Sequence, residues 1–239
     1  LLAIKKNSQM LATLGESTQS DMDEEARVVQ ERFKEALAAL KESNKGKKRK
    51  EFIYDLPWYI IIGPPGSGKT TALLNAGLTF PLEDKLGSDA IRGAGGTRHC
   101  DWWFTDEAVL VDTAGRFTTQ DSYSSVDGAG WDSFVSQLKQ YRKEQPINGA
   151  MVTMSLSDLM LMSEKERAST AATIRERIDE LSDGLGIKFP IYFMFTKCDL
   201  IAGFSEFFAH FGQEERAQVW GETFEMAKDG TSLFDVSEY

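Results

Sequence analysis

The spacing of apolar positions changes several times along the chain, and each change marks an element. Val29, Phe33, Leu37 and Leu40 recur at helical intervals behind Asp21, Asp23, Glu24 and Glu25, acids that favour a helix N-terminus. This predicts an amphipathic helix over 21–42 that lays one face on the body of the protein. The unbroken run Trp58-Tyr59-Ile60-Ile61-Ile62 reads as a strand buried on both faces, with Thr71 to Ala76 opening the next helix. Two short strands come next, Cys100 to Phe104 and Ala108 to Val111. Only Thr105, Asp106 and Glu107 separate them, too few residues for a crossover helix, so they pair antiparallel. A Ser/Gly-rich loop over 117–130 leads to a helix predicted over 131–142, and Pro146 and Gly149 punctuate its end. Ala150 to Met154 is a further buried strand. Ala171, Ile174, Ile178 and Leu181 share one face of a long helix over 163–185 that ends at Gly184 and Gly186, and 190–195 is the last clear strand. Phe204, Phe207, Phe208 and Phe211 then stand at near-helical spacing, where a core role is expected. The pattern predicts an α/β fold in three parts: an N-terminal helix and basic linker (1–51), a core (52–199) and a helical C-terminal extension (200–239).

Composition narrows the classes. The 239 residues include 41% hydrophobic and 27% charged positions, enough for one full α/β domain with appendages. A formal net charge of -10 argues against a nucleic-acid surface. Two cysteines, Cys100 and Cys198, suit a reducing compartment better than a disulfide framework. With no run of eighteen apolar residues and a start at Leu1, the chain reads as a fragment without its own membrane span. Lys45, Lys47, Lys48, Arg49 and Lys50 form a basic run in an otherwise acidic chain. It is either a solvated linker or a cation cluster near an anionic lipid surface.

The chemistry concentrates at strand ends. Gly63 to Thr70, GPPGSGKT, fits the phosphate-loop pattern G-x-x-x-x-G-K-[ST] without a mismatch. Its glycines let the main chain through Gly63, Pro64, Pro65, Gly66, Ser67, Gly68 and on to Thr71 curl so that successive N–H groups converge on an anion. Lys69 reaches the β- and γ-phosphates, and Thr70 offers a hydroxyl to Mg²⁺. Asp112-Thr113-Ala114-Gly115 fits D-x-x-G, in which the acid holds Mg²⁺ through water and the Gly115 N–H meets the γ-phosphate. Thr196-Lys197-Cys198-Asp199 resembles the [NT]-K-x-D motif of GTPases, whose carboxylate accepts from two N–H groups on guanine. Thr97 is a candidate switch threonine over Mg²⁺ and γ-phosphate, or a turn threonine. Arg116 either stabilises transferred charge or forms a surface pair. His99 and His210 are expected to be structural. Asp112 is followed by Thr113, which departs from the Asp-Glu pair of AAA+ ATPases. The short hairpin departs from the parallel core of signal-recognition-particle GTPases, leaving a Ras-like phosphate-loop NTPase topology.

Longer stretches carry a closer resemblance. LPWYIIIGPPGSGKTT, GGTRHCDWWFTDEAVLVDTAGRF, PINGAMVTMSLSDLM, FTKCDLIAGFSEFF and QVWGETF, together spanning 56–224, are similar to the cytoplasmic domain of the IcmF/TssM family of bacterial type VI secretion. The resemblance implies a domain on the cytoplasmic side of the inner membrane, tethered by segments outside this sequence, that binds GTP or ATP with Mg²⁺. It further implies a DotU/TssL-type membrane partner, an outer-membrane lipoprotein complex and the baseplate. Family members with a degenerate phosphate loop leave a non-hydrolysing scaffold as the alternative; here Lys69, Thr70 and Asp112 are all present.

Overall fold

The computed structural model describes residues 20–38, 41, 54–80, 100–115, 124–216 and 218–223. Helix α1 covers 20–38, followed by β1 (Trp58–Ile62), α2 (Lys69–Leu74), β2 (Cys100–Phe104) and β3 (Val109–Thr113). Next come α3 (Ser124–Tyr141), β4 (Gly149–Ser155), α4 (Leu156–Leu161), α5 (Glu164–Leu185), β5 (Ile191–Thr196) and a 3₁₀ turn, Cys198–Leu200. The five strands lie in the order β2-β3-β1-β4-β5. β1 is parallel to β3 and β4, and β4 to β5, while β2 runs antiparallel to β3 as its short turn requires. The fold is therefore α/β with a mixed, mostly parallel sheet. Because four strands point the same way, the segments leaving β1, β3, β4 and β5 gather along one edge. The loop after β1 lies where strand order reverses, the place where open α/β sheets form their crevice.

Burial explains why β1 is apolar throughout. Trp58, Ile60 and Ile62 enter one cluster with Val109, Val111, Val152, Phe134, Ile178 and Leu181, whereas Ile61 enters a second with Leu73, Trp103 and Leu110. Helix α1 belongs to the first cluster, since Val29 and Phe33 are fully buried. The Phe33 ring lies 5.6 Å from Trp102, 5.4 Å from Tyr141 and 6.1 Å from Trp58. Its amphipathic face thus lies on the body of the protein, as its spacing predicts. Lys45 to Lys50 fall outside the described residues.

Several expectations are corrected. Helix α3 begins at Ser124 rather than at 131, so part of the expected loop is helical. Gly130 serves packing: a Cβ there would stand 2.8 Å from Glu25 Cγ of α1, so closeness of the two helices outweighs glycine's poor helix propensity. Helix α5 runs as expected from a capping box, Ser163 with Glu166, to Gly186 in the left-handed region at φ 69. Ala171, however, is exposed, and the inward face is Ile174, Ile178, Leu181 and Leu185. Helix α4 has no counterpart among the predicted elements. Strand β5, the last clear strand of the sequence, forms a sheet edge, with Phe193 60% and Phe195 52% exposed.

From Ile201 on, the described residues belong to a second compact unit. Within it, Phe208 packs its ring 4.7 Å from Phe204, 4.9 Å from Phe207 and 5.2 Å from Phe211. The expected core role fails, because none of the unit's described residues is buried. Its helices α6 (Phe204–Phe207) and α7 (Gln213–Arg216) are four residues each, too short to enclose those rings. Among the described residues, no helix is long and apolar enough to cross a membrane.

At the opposite end of the sheet a buried cation fastens the connections. Arg142, 1% exposed, donates through Nε to Gln145 O at 3.0 Å and reaches Leu56 O and Asn148 Oδ1 at 3.4 Å. Its guanidinium lies over the rings of Trp58 at 4.7 Å and Tyr54 at 5.1 Å. Burial pulls its pKa down to about 10, which leaves it charged at neutral pH. Replacing it removes the donors that the Gln145 and Leu56 carbonyls and the Asn148 Oδ1 accept from. Arg142→Ala is expected to lose about 2–4 kcal/mol in urea unfolding, and Arg142→Lys nearly as much because it lacks the planar fork. A loss under about 0.5 kcal/mol for both would show that Arg142 is a bystander.

Candidate functional site

The loop from Gly63 to Thr70 leaves β1 in a curl that only glycine makes cheaply. Gly66 and Gly68 hold φ of 73 and 85, and Ser67 N donates to Pro64 O at 3.2 Å across the turn. Alternation of left-handed glycines with ordinary residues is the backbone pattern in which successive N–H groups can line one concavity and form a nest for an anion. Gly63 is forced by space rather than by φ, since a Cβ there would fall 2.3 Å from Thr153 O on β4. Pro64 and Pro65 stiffen the entry to the curl.

Lys69, the first residue of α2, is buried, and its Nζ donates to Gly63 O at 2.8 Å and Pro64 O at 3.2 Å. Burial lowers its pKa, and the nearby charge of Asp112 partly offsets this. Beside it Thr70 Oγ1 donates to Asp112 Oδ2 at 2.6 Å. Asp112 is fully buried at the end of β3, held in place because the next residue, Thr113, donates its hydroxyl to Ile61 O at 2.7 Å. Gly115 closes the approach: a Cβ on it would meet Pro65 N at 2.6 Å and Pro65 Cα at 2.7 Å. Two loops predicted separately from the sequence are thus in contact.

A third loop joins them from β5. Thr196 Oγ1 donates to Ser67 O at 2.5 Å and lies 3.3 Å from Met154 O. A Cβ on Gly68 would reach Thr196 Oγ1 at 3.4 Å, so glycine admits this contact as well as the turn. Lys197 follows at φ 55, and its Nζ pairs with Asp158 Oδ2 of α4 at 3.2 Å. Asp199 lies exposed in the 3₁₀ turn, and Thr71 is exposed on α2. Thr97, Arg116 and His99 fall outside the described residues. His210 belongs to the second unit, its ring 4.7 Å from that of Phe211. Sequence reasoning missed Thr113 and Asp158. The second had a signal: Ser155-Leu156-Ser157-Asp158 before an apolar run is a helix-start pattern, and Ser155 Oγ accepts from Asp158 N at 3.2 Å.

Chemically, a hydroxyl and a carboxylate oxygen side by side form a hard donor set of the kind Mg²⁺ takes together with water and phosphate. The buried Lys69 ammonium lies in the same crevice, held by carbonyl oxygens rather than by an ion pair. Ser67 Oγ, also buried, makes no hydrogen bond among the described residues. These features fit a polyphosphate with its cation.

The profile described as IcmF-related N-terminal domain matches residues 124–237. The chain is also 59% identical over 209 residues to "Type VI secretion system component TssM1" of Pseudomonas aeruginosa, across 87% of this chain. The chain belongs to the IcmF/TssM family. It spans 19% of the length of that curated relative. The IcmF-related profile begins at α3, so the Gly63–Thr70 loop and Asp112 precede the matched residues. Among solved structures there is a likeness to an ADP-ribosylation-factor-like GTP-binding protein, the small COPII coat GTPase SAR1 from Encephalitozoon cuniculi in complex with GDP. It covers 87% of this chain and 89% of that one at 12% identity, but a TM-score of 0.23 carries no weight for fold or function.

The contact between Gly115 and Pro65 is backbone against backbone and cannot yield. Gly115→Ala is expected to cost about 1–3 kcal/mol in urea unfolding and to displace the Gly63–Thr70 amide resonances. By contrast, Gly128→Ala in α3, where a Cβ meets nothing within 4 Å, should be neutral or stabilising by up to about 1 kcal/mol. Equal effects at both positions would refute the close approach.

Proposed function

We propose that this chain is the nucleotide-binding part of a type VI secretion membrane-complex component, and that it binds GTP or ATP with Mg²⁺ and hydrolyses it slowly. The observation that carries the reading is the convergence of Lys69 and the Thr70–Asp112 pair at the strand-order reversal, 2.6 Å separating the two oxygens. Main-chain N–H groups of Gly66 and Ser67 to Thr71 cradle the phosphates, and Lys69 neutralises the β- and γ-oxygens once it leaves the carbonyls of Gly63 and Pro64. Thr70 and Asp112 would hold the metal, with Thr97 as the candidate third ligand from the sequence, and the Gly115 N–H would meet the γ-phosphate. Mg²⁺, when bound there, would supply positive charge against that of the phosphates. Water attacks the γ-phosphorus as its bond to the β–γ bridging oxygen breaks, the nucleoside diphosphate leaves, and the water's proton passes to phosphate; Arg116, directly after Gly115 in the sequence, would offset the charge that develops or else form a surface pair. Lys197 and Asp199 read the base. The antiparallel β2–β3 pair favours a Ras-like topology and speaks against a signal-recognition-type GTPase.

In the cell, turnover would bias the conformation of the secretion apparatus from the cytoplasmic face of the bacterial inner membrane. Partners would be a DotU/TssL-type membrane protein and the baseplate, with an outer-membrane lipoprotein reached through parts beyond this sequence. One observation supports the rival reading, a scaffold with little or no nucleotide binding: Lys69 already satisfies its ammonium on its own loop, as a retired site could.

Calorimetric titration with GTP or ATP and Mg²⁺ separates the two. Saturable binding is expected in the unmutated protein, weakened at least tenfold by Lys69→Ala. The pH profile gives a second reading. Burial lowers the Lys69 pKa in the free protein, and a bound anion raises it again. Affinity is therefore fully present below the free-state pKa and declines as pH rises through it, because binding must then take up a proton. Lys69→Ala should remove that alkaline decline. An absence of saturable binding in the unmutated protein would leave the scaffold.

A further inference from the structure

Lys197 carries the positive φ found at a non-glycine residue among the described residues, 55, inside the left-handed region that side chains disfavour. Such strain persists only where neighbours over-determine the backbone, and it concentrates where geometry matters to function. Three ties over-determine it here. On the N-terminal side Thr196 Oγ1 donates to Ser67 O at 2.5 Å. On the C-terminal side Leu200 N donates to Lys197 O at 3.2 Å and closes the 3₁₀ turn. The third is the side chain itself, whose Nζ pairs with Asp158 Oδ2 at 3.2 Å.

Asp158 is well held for this task. Its N–H is capped by Ser155 Oγ, and Ser157 Oγ donates to its Oδ1 at 3.4 Å. Ser155 ends β4, the strand paired to β5, with Ser155 opposite Thr196 in register. The carboxylate is therefore fixed relative to the loop it grips. Hydrogen bonds from Ser155 and Lys197 keep its pKa below the usual carboxylate range, so it is charged at neutral pH. The two side chains remain 34% and 48% exposed, and an ion pair so open to water adds little to global stability. Its effect is local: it fixes where the Lys197 ammonium goes.

We propose that Asp158 is a positioning residue for base selection, which holds Lys197 so that its stem, not its charge, faces the ligand, and leaves Lys69 as the phosphate-binding cation. The proposal rests on the nucleotide reading above. With Asp158 in place, Lys197 and Asp199 meet the base from one fixed turn. Without it, the Lys197 ammonium is released and the strained turn relaxes, so the two bases are told apart less well while the phosphate cradle is untouched.

The test measures dissociation constants of the purified protein for GTP, ATP and inorganic triphosphate, each with Mg²⁺. Asp158→Asn is expected to bring the GTP-to-ATP ratio about fivefold closer to unity, with triphosphate affinity changed less than about twofold. Asp158→Glu should restore most of the preference. In a Lys197→Ala background Asp158→Asn should add nothing, which a merely structural role would not produce. An unchanged ratio in Asp158→Asn overturns the proposal, as does an equal loss for triphosphate, which would make Asp158 a prop for the whole site. Lys69-dependent binding without any base preference in the unmutated protein overturns it and spares the nucleotide reading. No binding of any of the three overturns both.

Discussion

The Lys69 ammonium is buried, and the nearby charge of Asp112 only partly offsets the cost of taking it out of water. Burying a lone cation is costly unless oxygen atoms replace its water, and the carbonyls of Gly63 and Pro64 do so only because the loop curls back on itself. That curl needs Gly66 and Gly68 in the left-handed region. It also needs Gly63 bare, because β4 passes against it, and Gly115 bare, because the turn after β3 passes on its other side. Much of the local sequence thus serves to keep one positive charge in one place.

Strand order supplies the rest. With β1 between β3 and β4, the loop after β1 has the end of β3 on one side and that of β4 on the other. Thr113, bonded across to Ile61 O, fixes the height at which Asp112 meets Thr70. Thr196, one strand further out, reaches back to Ser67. Three connections far apart in sequence are hydrogen-bonded to one another through side chains at strand ends. Beneath them Phe33 of α1 packs with Trp58 and Trp102, so the N-terminal helix supports the strands that carry the site.

Much of this is legible in the chain for identifiable reasons. A fully apolar β1, a three-residue turn after Phe104 and a complete Gly63–Thr70 pattern leave few alternatives, and Asp112, Gly115 and Thr196 each stand at the end of a readable strand. What escapes depends on tertiary context. Glycine at 128 and 130 suggests a loop, but a helix in contact with Glu25 requires a residue without a side chain at 130. The apolar run of β5 marks a strand, but composition cannot say on which side of a sheet pairing stops. The spacing of Phe204 to Phe211 reports true ring contacts but not depth, since two four-residue helices enclose nothing. Lys197 and Asp158 lie 39 positions apart, and no period in the chain links them.

Whether the crevice receives a polyphosphate can be seen directly. A crystal structure of the protein grown with a non-hydrolysable GTP analogue and Mg²⁺ should show the Lys69 ammonium moved from the Gly63 and Pro64 carbonyls onto phosphate oxygens, with Thr70 and Asp112 at the metal. Lys69 still on those carbonyls, and the nucleotide absent or bound elsewhere, would contradict it.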